Sequence, residues 1–381
     1  MDEKRKFLGV QILRGFAALL VISFHVAWNL QDRNGFTRLS VPYFGNGGVD
    51  LFFLISGFVI VWTTRGSWQV QGVWRTFLEK RLIRIIPLYW LLTSVKIAII
   101  LIVPFMARNS TLTVWNSVAS FLLIPSFNGQ HDILPVISAG WTLCFEMFFY
   151  YAFTLCLVLR VRPDRALTPI FIVLAAVGCF RTPGWGAEAR VLDPLLLEFV
   201  AGMWIAELAG RQWFRYRIGT LDLCALLGSG CVGLMLSDLL PPQSAYTYRV
   251  IVWGIPSAAI MLSVVGLEGR IAMQRLRIPL ILGDASYSIY LVHVVLLSPV
   301  IALAKRYQFS LPGELAVFAA IVLLGLLAGT ATYYLIERPM MTALRYVMLY
   351  GSGLFQNRVA PKSGVVGSEI NGSQTRSEVA N

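Results

Sequence analysis

The chain has 381 residues, 57% of them hydrophobic and only 14% charged, with a mean hydropathy of +0.68. Soluble domains carry closer to a quarter charged residues, so the composition excludes a soluble globular enzyme and points to an all-α, polytopic membrane protein. The net charge of +12 is no nucleic-acid footprint, because the basic residues fall between apolar stretches, where membrane orientation requires them.

Hydropathy predicts ten spans, near 8–29, 46–64, 84–106, 139–159, 168–181, 192–209, 220–239, 249–267, 281–304 and 315–337. Lys4, Arg5 and Lys6 before the first apolar run imitate a secretory leader. The run is too long for one, and Val26-Ala27-Trp28 is no small-residue cleavage site, so a retained span is expected. It carries Arg14 and His25. Eleven residues make about 1100° on a helix, three turns plus about 20°, so the two side chains share a face ~16 Å apart along the axis. Ionisable groups inside a bilayer are expensive and usually face a polar cavity. The pair suggests one cavity crossing the membrane; taken singly, Arg14 can snorkel to headgroups and His25 can serve a bundle contact.

The second span opens Gly45-Asn46-Gly47-Gly48-Val49-Asp50 and continues to Ser56-Gly57-Phe58. Its glycines allow close backbone approach, and Asp50 sits one turn inside. Before the third span comes Lys80-Arg81-Leu82-Ile83-Arg84, followed by Pro87. Arg81 and Arg84 are three apart, so a helical start puts both guanidiniums on one face, suited to phosphate. The positive-inside bias alone would also supply basic residues there. Val114 to Phe127 is apolar but short, and reads as a re-entrant or interfacial segment. His131, beside Asp132, falls in a loop.

In the fourth span Thr142, Glu146 and Tyr150 recur every four residues on one face. Glu198 lies at similar depth in the sixth, where pairing with an arginine and a catalytic role are equally open. The ninth carries Ser286, Tyr290 and His293 at i, i+4 and i+7, a face suited to lining a cavity. The tenth ends Glu337-Arg338-Pro339, read as an interface anchor. The five cysteines fall in or beside apolar spans with no disulfide or metal spacing.

With the N-terminus inside, the cytoplasmic segments hold 22 Lys and Arg and the outer loops 8. This bias predicts ten helices with both termini cytoplasmic. Residues 1–345 are expected to form one membrane domain and 346–381, rich in Gly, Ser and Asn, a disordered cytoplasmic tail. No phosphate-binding Gly-Lys-[Ser/Thr] loop, zinc motif or serine-hydrolase elbow occurs, and no internal inverted repeat stands out.

Six motifs in order carry a resemblance: Arg14 with ten residues before His25; Gly48-Val49-Asp50 through Ser56-Gly57-Phe58; Arg81-x-x-Arg84 with Pro87; Trp141-Thr142-Leu143 with Glu146 and Phe149-Tyr150; Ser286-Tyr287-Ser288-Ile289-Tyr290-Leu291-x-His293; and Glu337-Arg338-Pro339. The chain resembles the membrane acyltransferases of acyltransferase family 3, and in length and wording the ExoZ-type exopolysaccharide O-acetyltransferases. The resemblance spans residues 7 to about 340 and implies ten helices in the bacterial inner membrane. It implies transfer of an acyl group, usually acetyl, from acyl-coenzyme A to carbohydrate hydroxyls of a polysaccharide or lipid-linked oligosaccharide. His25 matches the family's essential histidine, Arg14 its paired arginine, and Arg81 with Arg84 the motif associated with the donor.

The expected catalytic residues are therefore His25, Arg14 and Glu146, and the donor residues Arg81, Arg84 and Arg14. Asp50, Ser286, Tyr290 and His293 are expected on the substrate side. Acetyl-coenzyme A is the expected donor, and no metal or nucleic acid is expected. His25 can act as a general base or carry the acyl group itself. No fused esterase-like domain is seen, so a stand-alone transferase is expected. A transporter of a polysaccharide or lipid-linked intermediate is the rival reading, since polar groups within helices suit transport equally well.

Overall fold

The computed structural model describes residues 7–34, 36, 38–103, 112–182, 184–304 and 310–359. The architecture is all-helical: α1 Leu8–Asn34, α2 Gly47–Thr64, α3 Val73–Ile102, α4 Val114–Leu122, α5 Gly140–Val158, α6 Pro163–Gly178, α7 Leu196–Ala209, α8 Gln212–Tyr216, α9 Thr220–Leu236, α10 Pro242–Thr247, α11 Ile255–Leu267, α12 Arg277–Asp284, α13 Ser286–Ala304, α14 Leu311–Thr332 and α15 Arg338–Val359. π-helical turns, Val250–Gly254 and Tyr333–Glu337, precede α11 and α15. Two compact units make up the chain, 1–341 and 342–381. The first contains every site residue considered below. In the second, described residues run to Val359 as part of α15, and the remainder of the expected tail, 360–381, lies outside the described residues.

Every predicted span falls largely on helix, residues 104–106 of the third lying outside the described residues, and the chain is a multi-pass membrane protein. Among the described residues, seven helical stretches are long and apolar enough to cross a bilayer. They contain α1, α2, α3, α5, α9, α11 and α14. An eighth arises if α12 and the first part of α13 count as one span bent by 68°. The fifth and sixth predicted spans form α6 and α7, of 16 and 14 residues. At 1.5 Å per residue these are about 24 and 21 Å long, short of a ~30 Å hydrocarbon core. Hydropathy reports apolar composition, and α7 is apolar because it is walled in by protein: Phe199 stacks on Phe149 at 4.4 Å and packs against Phe53 at 4.8 Å. The third helix begins at Val73, eleven residues before the predicted span, so Arg81 and Arg84 lie inside a helix rather than at its start. The Val114–Phe127 segment supplies the nine-residue α4, whose Trp115 and Leu122 are exposed while Asn116 and Ser120 are buried. Asn116 Nδ2 donates to Ser126 Oγ and to Leu134 O, which ties this helix to the loop before α5.

Glycine sets the closest helix contacts. A Cβ on Gly57 of α2 would lie 2.2 Å from Phe199 O, and one on Gly202 of α7 would lie 2.0 Å from Leu54 O. The two backbones are in mutual van der Waals contact, which only a side chain of one hydrogen permits. The same device seats α12 on α1, where a Cβ on Gly283 would meet Gln11 O at 2.1 Å. Gly202→Val is expected to force α2 and α7 apart and to destabilise by about 1–3 kcal/mol or more, the usual cost of overpacking. Thermal inactivation in detergent measures this, and an unchanged midpoint would refute the seam.

A candidate active site lined by three arginines

Five helices wall a cavity of about 110 Å³ with Arg14 of α1, Ser56 of α2, Arg81 and Arg84 of α3, Thr142, Glu146 and Tyr150 of α5, and Ser286, Tyr287 and Tyr290 of α13. Its apolar lining includes Phe52, Phe53 and Leu143. The volume admits several waters or one narrow chain. The break at Ala285 between α12 and α13 is what brings Ser286 to this wall, at the first residue of a new helix.

Each arginine is held differently. Arg84 donates from Nη1 to Glu337 Oε1 at 2.6 Å, and its guanidinium lies 5.5 Å from the Tyr287 ring. Glu337 is fully buried and accepts a second bond from Ser288 Oγ at 2.5 Å. Arg81 donates a long bond to Thr63 Oγ1, 3.4 Å, and stands over the rings of Phe77 and Tyr150. Arg14 makes no hydrogen bond or ion pair with any described residue, although Arg84, Glu337 and Glu146 are near enough to act on its charge. Arg81 Nε, Arg84 Nη2 and Ser286 Oγ are buried without hydrogen-bond partners among the described residues. Buried donors are normally satisfied, so these atoms fit a guest rich in acceptors and negative charge.

The fourth-span face forms as its spacing predicts. Glu146 accepts from Ser56 Oγ at 3.1 Å and from Tyr150 OH. Thr142 Oγ1 lies 2.8 Å from Tyr290 OH, which also donates to Ala139 O. Three guanidiniums against the two carboxylates Glu146 and Glu337 leave the site net positive.

Of the residues singled out in the sequence, Arg14, Arg81, Arg84, Glu146, Ser286 and Tyr290 share this lining. His25 and His293 do not line it. They face each other next to it, with ring centroids 5.2 Å apart, and His293 lies 5.8 Å from the ring of Tyr290. Asp50, expected on the substrate, lies apart from the lining in a buried ion pair: Arg249 Nη2 donates to its Oδ2 at 2.6 Å and to Asn46 O at 3.3 Å. A carboxylate at that depth needs a cation, and Arg249 supplies it. Glu198 is buried near the same pair, but neither of its carboxylate oxygens has a hydrogen-bond partner among the described residues. His131 sits in an exposed turn before α5.

Sequence reasoning named Glu337 only as a boundary anchor and motif residue, and passed over Arg249. Glu337 looks like an anchor because Arg338 follows it, but the π-helical turn at Tyr333–Glu337 carries its carboxylate inward to Arg84. Arg249 is a lone basic residue beside a span, and nothing local distinguishes it from a topology signal.

The family model of the acyltransferase domain matches residues 7–334. The exopolysaccharide production protein ExoZ of Rhizobium meliloti (strain 1021) is 33% identical over 305 residues, covering 78% of this chain and 90% of that protein. The acyltransferase MdmB of Streptomyces mycarofaciens is 28% identical over 369 residues, 87% of this chain and 91% of its own length. The O-acetyltransferase OatA of Staphylococcus aureus (strain NCTC 8325 / PS 47) is 25% identical over 373 residues, 89% of this chain and 58% of that longer protein. No solved structure matches the chain.

Proposed function

The chain belongs to the acyltransferase domain family and is an O-acyltransferase, and from that premise we propose that it moves an acetyl group from acetyl-coenzyme A to hydroxyls of an exported carbohydrate, across the inner membrane. The observation that carries the donor assignment is the cavity with Arg14, Arg81 and Arg84 on its wall and unpaired buried donors on two of them. A coenzyme A thioester brings phosphates for such guanidiniums and a narrow arm that suits the space. The exopolysaccharide assignment rests on the similarity to ExoZ, and the acetyl group on the similarity to OatA.

In this reading Arg81 and Arg84 hold the donor phosphates, with Arg14 further in. Glu146, fixed by Ser56 and Tyr150, balances the charge that the arginines bring. His25 takes the proton from the acceptor hydroxyl as its oxygen attacks the acyl carbon and the carbon–sulfur bond breaks. We keep ten crossings with both termini cytoplasmic, the short α6 and α7 counted among them, on the 22-to-8 bias of basic residues. Arg14 then enters from the cytoplasmic end of α1 and His25 lies ~16 Å further out.

Sidedness is the test. In oriented vesicles the protein is expected to consume acetyl-coenzyme A on the cytoplasmic face and to acetylate a carbohydrate confined to the other. Transfer only when both substrates share the cytoplasmic compartment would rule out the through-membrane route, and carbohydrate movement without acetylation would favour transport.

A further inference from the structure

Two of the chain's three histidines, His25 on α1 and His293 on α13, come together although 268 residues separate them. Each ring is fixed by its own helix. His25 Nδ1 lies 2.9 Å from Val21 O, and His293 Nδ1 lies 3.1 Å from Ile289 O. A carbonyl oxygen only accepts, so both Nδ1 atoms carry the hydrogen. In the neutral rings both Nε2 atoms are therefore bare lone pairs. Neither neutral ring can then donate to the other through Nε2, and the pair gains such a donor only when it takes up one proton.

The surroundings make this more than packing. His293 is 1% exposed, and its Nε2 is buried without a partner among the described residues. Burying an imidazole nitrogen unsatisfied costs stability that an apolar side chain would not. On one side His293 borders a small void whose other lining residues are all apolar, among them Ile22, Leu297, Val300, Ile321 and Leu324. On the other stand His25 and Tyr290. The Tyr290 hydroxyl is already engaged by Thr142 and Ala139.

We propose that His293 is the proton partner of His25: the lone pair on its Nε2 shares the proton that His25 takes from the acceptor. The inference deepens the assignment of His25 as the base and rests on it. The acceptor oxygen bonds to the acyl carbon, its proton passes to Nε2 of His25, and the sulfur leaves as thiolate with the electron pair of the carbon–sulfur bond. Without a partner, the charge of the imidazolium would rest on His25 alone. With His293, one proton is shared by two lone pairs until it is returned through His25 to the thiolate, giving the free thiol and two neutral rings. His293 thus acts through His25, as a positioning residue that touches no substrate.

Three variants of the full chain test this, assayed in detergent or vesicles with acetyl-coenzyme A and a carbohydrate acceptor. His293→Phe keeps an aromatic ring against His25. His293→Asn keeps a hydrogen-bonding group that holds no proton at neutral pH. Both are expected to lower kcat by about 10- to 100-fold, part of what a general base contributes, while KM for donor and acceptor stays within about two-fold of the parent. Combining His293→Phe with His25→Ala should cost nothing beyond His25→Ala alone, because the two rings act as a unit. Parental kcat in His293→Phe would overturn the pairing, as would a raised KM with kcat intact, which would make His293 a substrate contact. If His25→Ala is inactive and His293→Phe is not, the pairing alone fails; if His25→Ala is itself fully active, the base assignment fails and the pairing with it.

Discussion

His25→Ala is expected to give a protein that inserts, folds and transfers no acyl group above background. The loss should be at least the roughly 10²–10⁴-fold that a positioned base contributes. If the histidine also carries the acyl group, the loss is complete rather than partial, since the covalent route has no substitute. The fold should survive because the ring makes its hydrogen bond within its own helix, to Val21 O, and none to another element among the described residues. Truncation therefore breaks no tertiary hydrogen bond and leaves no orphaned partner on a neighbouring helix. The check is the acetyl content of the product, measured at matched amounts of folded protein. Full activity from a normally folded His25→Ala protein would refute the assignment.

Arg81→Ala and Arg84→Ala should both impair donor use, but by different routes. Arg81 has no carboxylate partner among the described residues and rests on the faces of Phe77 and Tyr150. Its loss should raise the apparent KM for acetyl-coenzyme A by about 10-fold or more, the 1.5–3 kcal/mol of a charge-assisted bond, with the KM for acceptor unchanged. Arg81→Lys should recover only part, because an ammonium lacks the planar fork. Arg84→Ala additionally abandons Glu337, whose carboxylate then stays buried with Ser288 alone. Breaking a buried pair from one side typically costs about 3–5 kcal/mol, so this variant should lose thermal stability as well as donor affinity. Measured by donor titration and thermal inactivation, an Arg81→Ala/Arg84→Ala protein with unchanged donor KM would reduce the motif to an orientation signal.

What could be read before the fold was known follows from the range of the interactions. Thr142, Glu146 and Tyr150 share a face through spacing alone, and the structure keeps them on one wall. Ser286 and Tyr290 behave likewise, both reaching the cavity from α13. Pairings across the bundle were not legible. Asp50 and Arg249 are 199 residues apart, Arg84 and Glu337 are 253 apart, and no local pattern links either pair. Hydropathy could not tell a helix that faces lipid from one enclosed by protein, which is why the enclosed α7 carries the same signal as α6, whose Ile170, Ile172 and Val173 are exposed. The shared face of Arg14 and His25 is a helical fact, but helical phase does not say what lies between them, and the ring of Tyr290 stands beside both the cavity and the histidine pair.

The π-helical turn Tyr333–Glu337 bears on which changes of chain length the protein can tolerate. Such a turn holds one residue more than the α-helical turn it replaces. Deleting any one residue within it would give a more regular helix and leave hydropathy almost unchanged. Because the wide turn already absorbs that residue, all that follows would keep its phase, and the carboxylate at the end of the turn would stay on the side of Arg84. A single-codon deletion is therefore far milder here than one in the regular helix of α14, which would rotate all that follows by about 100° and carry Glu337 away from the arginine it holds at the cavity wall.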